Sequence, residues 1–193
     1  MWEMKPALLR EILFVKDGPL AFFGVTAPLH KPMRALMALL GAQDSGKPLM
    51  NLVGLEKSGP FVEHAILIEP LLKPTQYLLL NNDYIYRYIQ PGDPSEQAFG
   101  RDTYYGAKII FKGEGNDTYV ATVPTGDYKS KPTFADLFNG AEVLEVTSRL
   151  RCSMYDNALV PIVLANRLVS LADVPSSEIL ARFAAKQIKV AGS

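Results

Sequence analysis

The stretch Ile12-Leu13-Phe14-Val15-Lys16-Asp17-Gly18-Pro19 decides how this chain is read. Its apolar run has the pattern of a buried strand, and it stops abruptly at a carboxylate followed by the turn residues Gly18 and Pro19. In an open α/β sheet the loops at the carboxyl ends of the strands converge on a crevice, which is where ligands and metals bind. Asp17 is therefore the first candidate for chemistry. The competing account is structural: an aspartate opens a turn by bonding nearby backbone amides, and a glycine after it supplies the loose backbone geometry.

Working outward, residues 7–11 read as the last turns of a helix, with Pro6 tolerable only near its start. Residues 20–25 form a second apolar run, expected to be a strand close to the first. A helix is predicted after Pro32, because Met33, Leu36, Met37 and Leu40 recur at helical spacing and Gly41 ends it. Residues 50–55 predict another buried strand, and residues 61–72 a helix broken at Pro70. Residues 78–80 are a short strand or helix edge, and Tyr84, Tyr86 and Tyr88 alternate as the side chains of a strand surface do. Residues 108–112 and 119–123 bracket a Gly-rich turn as an antiparallel hairpin. From Ala141 onward the pattern is helical, over residues 141–150, 158–171 and 176–188. Strands interleaved with helices, plus one hairpin, indicate a single α/β domain over residues 1–193 with a mixed sheet.

Twenty basic and twenty acidic residues cancel, so the chain lacks the global basic footprint of many nucleic-acid binders, although a groove can be locally basic on a neutral protein. The single cysteine, Cys152, excludes an internal disulfide framework and reads as a small buried hydrophobe. The amino terminus lacks the basic start and apolar core of a secretory signal, and no stretch approaches the roughly 20 apolar residues of a membrane span. These features predict a soluble, cytoplasmic protein with no membrane partner. Walker A, Gly-x-Ser-x-Gly, Cys-x-x-Cys and Gly-x-Gly-x-x-Gly signatures are all missing, so the chemistries that depend on them lack support.

Three segments, Glu11 to Leu20, Gly54 to Ala65 and Asn157 to Asn166, together with Tyr104-Tyr105-Gly106 and the run before Val123-Pro124, follow one another in an order that resembles the NurA nuclease family. The likeness is to the C-terminal part of that family's domain. It implies an RNase H-like mixed sheet flanked by helices, and a DNA nuclease dependent on Mn²⁺ or Mg²⁺ that acts on DNA ends or single strands. A HerA-type hexameric ATPase and a second copy of the chain are the implied protein partners. Asp17 matches the family's strand-end Asp-Gly motif, which implies metal coordination. Tyr155 precedes the late helix as a tyrosine does in the family, and could orient a phosphate or water or be a packed core residue. Asn166 stands where many members carry a histidine; an amide oxygen can ligate Mg²⁺ or Mn²⁺, but it carries no charge and shuttles no proton. Lys57 also matches a family lysine, in a turn whose backbone amides could meet a phosphate.

Arg87 and Arg101, set among Tyr84, Tyr86, Tyr88, Tyr104 and Tyr105, are candidates for phosphate contacts beside bases stacked on the rings. Glu63 and His64, adjacent on one helix, point to different faces and do not form a metal pair; His64 reads as a satisfied helix residue and His30 as a loop or cap residue. Sixteen residues precede Asp17, whereas the family's first catalytic aspartate and its glutamate lie well upstream of the matching motif. The expectation is of a domain incomplete at its amino end and inactive alone, with a non-catalytic DNA-binding or assembly module as the competing reading.

Overall fold

The computed structural model describes residues 6–41, 48–93, 98–114, 117–152 and 159–173; Tyr155 and the helix expected over 176–188 lie outside them. In chain order the elements are α1 (Pro6–Glu11), β1 (Leu13–Asp17), α2 (His30–Gly41), β2 (Asn51–Glu56), α3 (Pro60–Ile68), β3 (Tyr77–Leu79), α4 (Asn82–Tyr88), β4 (Gly106–Lys112), β5 (Thr118–Pro124), α5 (Gly140–Arg149) and α6 (Val160–Asp173). The five strands make one mixed sheet in the order β1-β2-β5-β4-β3. Only β1 and β2 are parallel; the other neighbours are antiparallel. Parallel strands need a crossover connection, and α2 lies in this one.

The alternation of side chains along the strands sorts the core into two layers. Val53 and Leu55 of β2, Ile109 and Phe111 of β4, and Tyr119, Ala121 and Val123 of β5 point to one face, where they pack with Val143 and Leu144 of α5 and Ile162 of α6. On the other face Ile110 and Val120 meet Phe61 and Ala65 of α3 and Ile85 of α4. Leu20, Met37 of α2 and Phe138 form a third cluster, with Leu52 of β2 against it. Burial on both faces explains why β4 and β5 read as nearly unbroken apolar runs. The general α/β class, the mixed sheet, the hairpin and the helices near 141–150 and 158–171 agree with the sequence reading. Cys152 is buried, as expected of a small hydrophobe.

Two local readings are corrected. Residues 20–25 do not form a strand: Leu20 is fully buried, Ala21 makes one isolated bridge to Tyr104, and a 3-10 helix follows over Gly24–Leu29. The reason is the absence of a side chain at Gly54. A Cβ there would lie 2.6 Å from the Gly18 carbonyl oxygen and 2.8 Å from the Leu20 nitrogen, so the segment after β1 folds across the face of β2 instead of beside it. Gly18 allows the reversal with φ of +97°. The alternating tyrosines, in turn, lie on helix α4. Asn81 caps it, its Oδ1 accepting from the Tyr84 N–H at 2.9 Å, and this local bond outweighs the period-2 pattern. Tyr84 and Tyr88 then meet on one face with ring centroids 4.9 Å apart and the rings tilted by 51°.

Side chains of α2 tie the layers together. Arg34 donates to the Tyr104 carbonyl at 2.8 Å and to both the carbonyl and the hydroxyl of Thr125 at 3.0 Å. His30, buried at the start of α2, donates from Nε2 to the same Tyr104 carbonyl at 3.0 Å. Near the start of α5, the 3-10 turn Phe134–Asp136 is closed by Asp136, whose Oδ2 accepts from the Thr133 N–H at 2.8 Å and from its hydroxyl at 2.7 Å, with Lys129 paired to Oδ1.

Two expectations follow from these contacts. Gly54→Ala forces a methyl into backbone atoms that cannot swing aside, so urea unfolding should show a loss of about 1–3 kcal/mol, the range of an overpacked core. The hydrogen bonds from Lys129 and Thr133 hold the Asp136 carboxyl down at about 2. A depressed carboxyl contributes stability above its unfolded pKa near 4, and that contribution is lost as pH falls through the folded value near 2. Asp136→Asn should therefore lower stability by about 1 kcal/mol at pH 7, as a lost cap does. Thermal unfolding should show the gap to wild type closing between pH 4 and pH 2.

Candidate functional site

Because β1 and β2 are parallel, their carboxyl ends open at the same edge of the sheet, and the register sets what each end presents there. Asp17 lies opposite Leu55, so it shares the face of Leu55, and Lys57, two residues on, follows the same side. Lys57 Nζ donates to Asp17 Oδ2 at 3.0 Å. The pair is open to solvent, with side chains 36% and 47% exposed. Helix α6 packs over β1 with Ile162 buried, and Asn166, at i+4 from Ile162, comes to the same side of the helix. Val15, Asp17, Pro161, Ile162, Ala165 and Asn166 line a cavity of about 200 Å³. The structure thus brings together Asp17, Asn166 and Lys57, three of the residues singled out in the sequence.

It does not bring Arg87 or Arg101 into that group. Arg87 is in the last turn of α4, with its guanidinium 5.3 Å from the centroid of the Tyr88 ring. Helix α4 follows β3, and β3 runs opposite to β2, so α4 starts from the other edge of the sheet. Arg101 is an exposed turn residue whose N–H donates to the Ala98 carbonyl. The histidines behave as packing residues: His64 Nε2 shares a hydrogen bond with the Tyr84 hydroxyl at 2.9 Å, and burial holds its imidazole below the usual range. Among the described residues, no three His, Cys, Asp or Glu side chains are grouped to hold a metal ion.

The sequence reading missed a second ion pair directly behind the first. Glu56, one residue before Lys57, points to the opposite face of the sheet and pairs with Lys108 of β4. The Lys108 side chain is 2% exposed and that of Glu56 10%. The ammonium also sits over two rings, 3.9 Å from the centroid of Phe61 and 4.6 Å from that of Tyr104. Burial pushes Lys108 below the ordinary lysine range, opposed by the Glu56 charge. The Tyr104 phenol is driven well above its usual range, first by burial and then by Glu56, so it stays protonated. The available signal was parity: Lys108, Ile110 and Lys112 alternate in β4, which places both lysines on the α3 face. Lys112 is met there by Glu69 at 3.8 Å.

Chemically, the edge offers one carboxylate and one amide oxygen to a shared cavity, with an exposed ammonium on the carboxylate. Such hard oxygen donors suit Mg²⁺ or Mn²⁺, which are commonly held by one or two carboxylates together with waters and substrate phosphates. No family model matches the chain, no curated protein matches it and no solved structure matches it. Among the described residues, no helix is long and apolar enough to cross a membrane.

The contrast between the two ion pairs is measurable. Removing one partner of a buried pair leaves the other charge uncompensated, at a cost of about 3–5 kcal/mol, while an exposed pair contributes about 1 kcal/mol or less. Chemical denaturation should show Glu56→Gln strongly destabilised and Asp17→Asn nearly as stable as wild type. Adding Lys108→Met to Glu56→Gln should recover much of the loss.

Proposed function

We propose that this chain is a NurA-type, RNase H-like nuclease domain that uses Mn²⁺ or Mg²⁺ to act on DNA ends or single strands. The observation that carries the reading is the meeting of Asp17, from the carboxyl end of β1, with Asn166, from α6, in one cavity. Asp17 and Asn166 would hold the metal, which when bound supplies an activated water and stabilises the leaving oxygen. Lys57 would meet a phosphate, a reading supported by its ammonium lying at the same edge, on Asp17. The pattern resembles the family's in the order of its motifs, and the proposed partners follow from that likeness: DNA, a HerA-type hexameric ATPase and a second copy of the chain.

Ligand count limits what this arrangement does unaided. Two divalent ions about 4 Å apart need several oxygen ligands, and the phosphate they hold is itself anionic. Asp17 and Asn166 provide one negative charge between them. Further carboxylates have a place to enter, since β1 is the last strand of the sheet among the described residues and its outer edge faces away from β2. The second reading, a non-catalytic module with DNA contacts, draws on one observation: Asp17 is already neutralised by Lys57.

The decisive measurement is Asp17-dependent chemistry. The 193-residue chain alone should show negligible cleavage of linear or single-stranded DNA with Mn²⁺, and cleavage that depends on Asp17 should appear once carboxylates are supplied beside β1. Lys57→Ala should weaken binding to single-stranded DNA and reduce the slope of log affinity against log salt by about 0.7, the share of one phosphate contact, with little change in melting temperature. Vigorous Asp17-dependent cleavage by the chain alone would place the missing ligands within it, and a salt slope unchanged in the Lys57 variant would leave Lys57 a surface residue.

A further inference from the structure

The face of the sheet that carries α5 and α6 is covered unevenly. Helix α6 packs over β1 and α5 over β2, so towards β4 and β3 the covering layer thins to the flank of α5 and the 3-10 turn Phe134–Asp136. A cavity of about 220 Å³ opens there. Its sheet side is aromatic. Tyr77 and Phe111 are cross-strand partners on β3 and β4, and Phe134 stacks on Tyr77 with ring centroids 4.4 Å apart and planes 23° from parallel. The opposite wall is one stripe of α5, formed by Ala141, Leu144, Glu145 and Ser148 at i, i+3, i+4 and i+7. We infer that this cleft is a binding site for a small planar aromatic ring bearing a positive charge, that is, an aromatic amine. It lies on the β3 side of the sheet, away from Asp17 on β1, and stands whether or not the nuclease reading holds.

Size, shape and charge each point to that ligand. A cavity of roughly 150 Å³ holds a benzene ring, so about 220 Å³ admits one substituted ring or two fused ones. Aromatic walls favour a flat ring, which packs offset or edge-on against them, and the faces of the same walls attract a cation. Glu114 and Glu145 both border the cavity. The lysine of the same stretch is turned away: Lys112 lies on the α3 face of β4, where its ammonium donates to the Glu69 carbonyl at 3.3 Å. Glu145 pairs with Arg149 one helix turn on, but the two side chains are 61% and 64% exposed, so water screens that contact and a bound ammonium can share the carboxylate. A ring carrying a carboxylate or phosphate would meet like charge instead. Thr75, which also lines the cavity, has φ of +66°, a conformation that β-branched residues rarely adopt. Its N–H donates to the Lys112 carbonyl at 2.9 Å, which holds the strained residue against the end of β4. Strain of this kind persists where the surroundings enforce it, and it gathers at ligand sites.

Three probes built on one ring separate shape from charge, since at neutral pH tryptamine is cationic, indole is neutral and indole-3-acetate is anionic. Their binding to the whole chain is read by NMR, from the ring-current shifts of the Tyr77 ring and the Ala141 methyl. Tryptamine should bind with a dissociation constant on the order of 1 mM, the reach of about a dozen heavy atoms at modest efficiency. It should bind about 2- to 5-fold more tightly than indole, the worth of one exposed charge contact, with indole-3-acetate weaker still. Glu114→Gln combined with Glu145→Gln should bring the three affinities together. Ala141 is exposed on α5, so Ala141→Trp should fill the mouth of the cleft and abolish the probe-induced shifts at Tyr77, with melting temperature little changed. Indole-3-acetate binding as tightly as tryptamine would overturn the charge assignment, and Tyr77 shifts that survive Ala141→Trp would overturn the cleft as the site. Tyr77 shifts that follow protein concentration without any probe would make the cleft a contact between copies of the chain, and the proposal would fall.

Discussion

The register between β1 and β2 is the constraint on which the rest depends. Leu13 opposite Asn51 and Asp17 opposite Leu55 put Asp17 and Lys57 on one face of the sheet and Glu56 on the other. A slip of one residue would reverse every side chain of the moving strand, burying the charge of Asp17 on one side and exposing Val15. Both faces enforce the register. Leu13 and Val15 pack on the cluster beneath α5 and α6, and Gly54 admits the backbone of residues 18–20 across the opposite face. The start of β2 is fixed separately: Asn51 donates to the Arg10 carbonyl at 2.7 Å and accepts from Asn139 at 2.7 Å.

The legible parts of the fold were those where local pattern and burial agree. The run Leu13 to Asp17 is short, apolar and closed by Gly-Pro, and it is a strand. Residues of α5 and α6 recur at helical spacing, and Val143, Leu144 and Ile162 are the ones buried. What failed was decided at a distance. Nothing in the run 20–25 reveals that a glycine some thirty positions later leaves room for it to cross a strand. The tyrosines of α4 mislead because period-2 spacing also fits a short helix in which Tyr84 and Tyr88 share one face and Tyr86 turns to Phe99.

The site shows the same division. Asp17 was visible because a carboxylate that ends an apolar run needs a reason to be there, whereas Asn166 drew notice only through the family likeness, and its position one helix turn from Ile162 on the cavity became visible in the fold. Lys57 was visible as a turn residue and through the family likeness; its bond to Asp17 needs the parallel pairing of two strands far apart in sequence. Glu56 and Lys108 were invisible as a pair, since 52 positions of sequence separate them. Their partnership follows from β5 lying between β2 and β4, with Gly54 and Lys108 both opposite Thr122.

The adjacency of Glu56 and Lys57 gives this edge its physical character. Two consecutive residues, forced to opposite faces by the pleat, anchor two ion pairs with opposite properties. On the α3 face the pair is enclosed: Glu56, Phe61 and Tyr104 surround the Lys108 ammonium, and loss of either charge strands the other in a poorly solvated place. That pair therefore holds the end of β2, and with it the turn that carries Lys57, in one position. On the α6 face water competes for both partners, so the Lys57 to Asp17 contact is weak and remakes easily. An enclosed charge behind and an exposed one in front follow from the pleat alone: the buried pair holds the end of β2, while the Asp17 carboxylate and the Lys57 ammonium stay open to water.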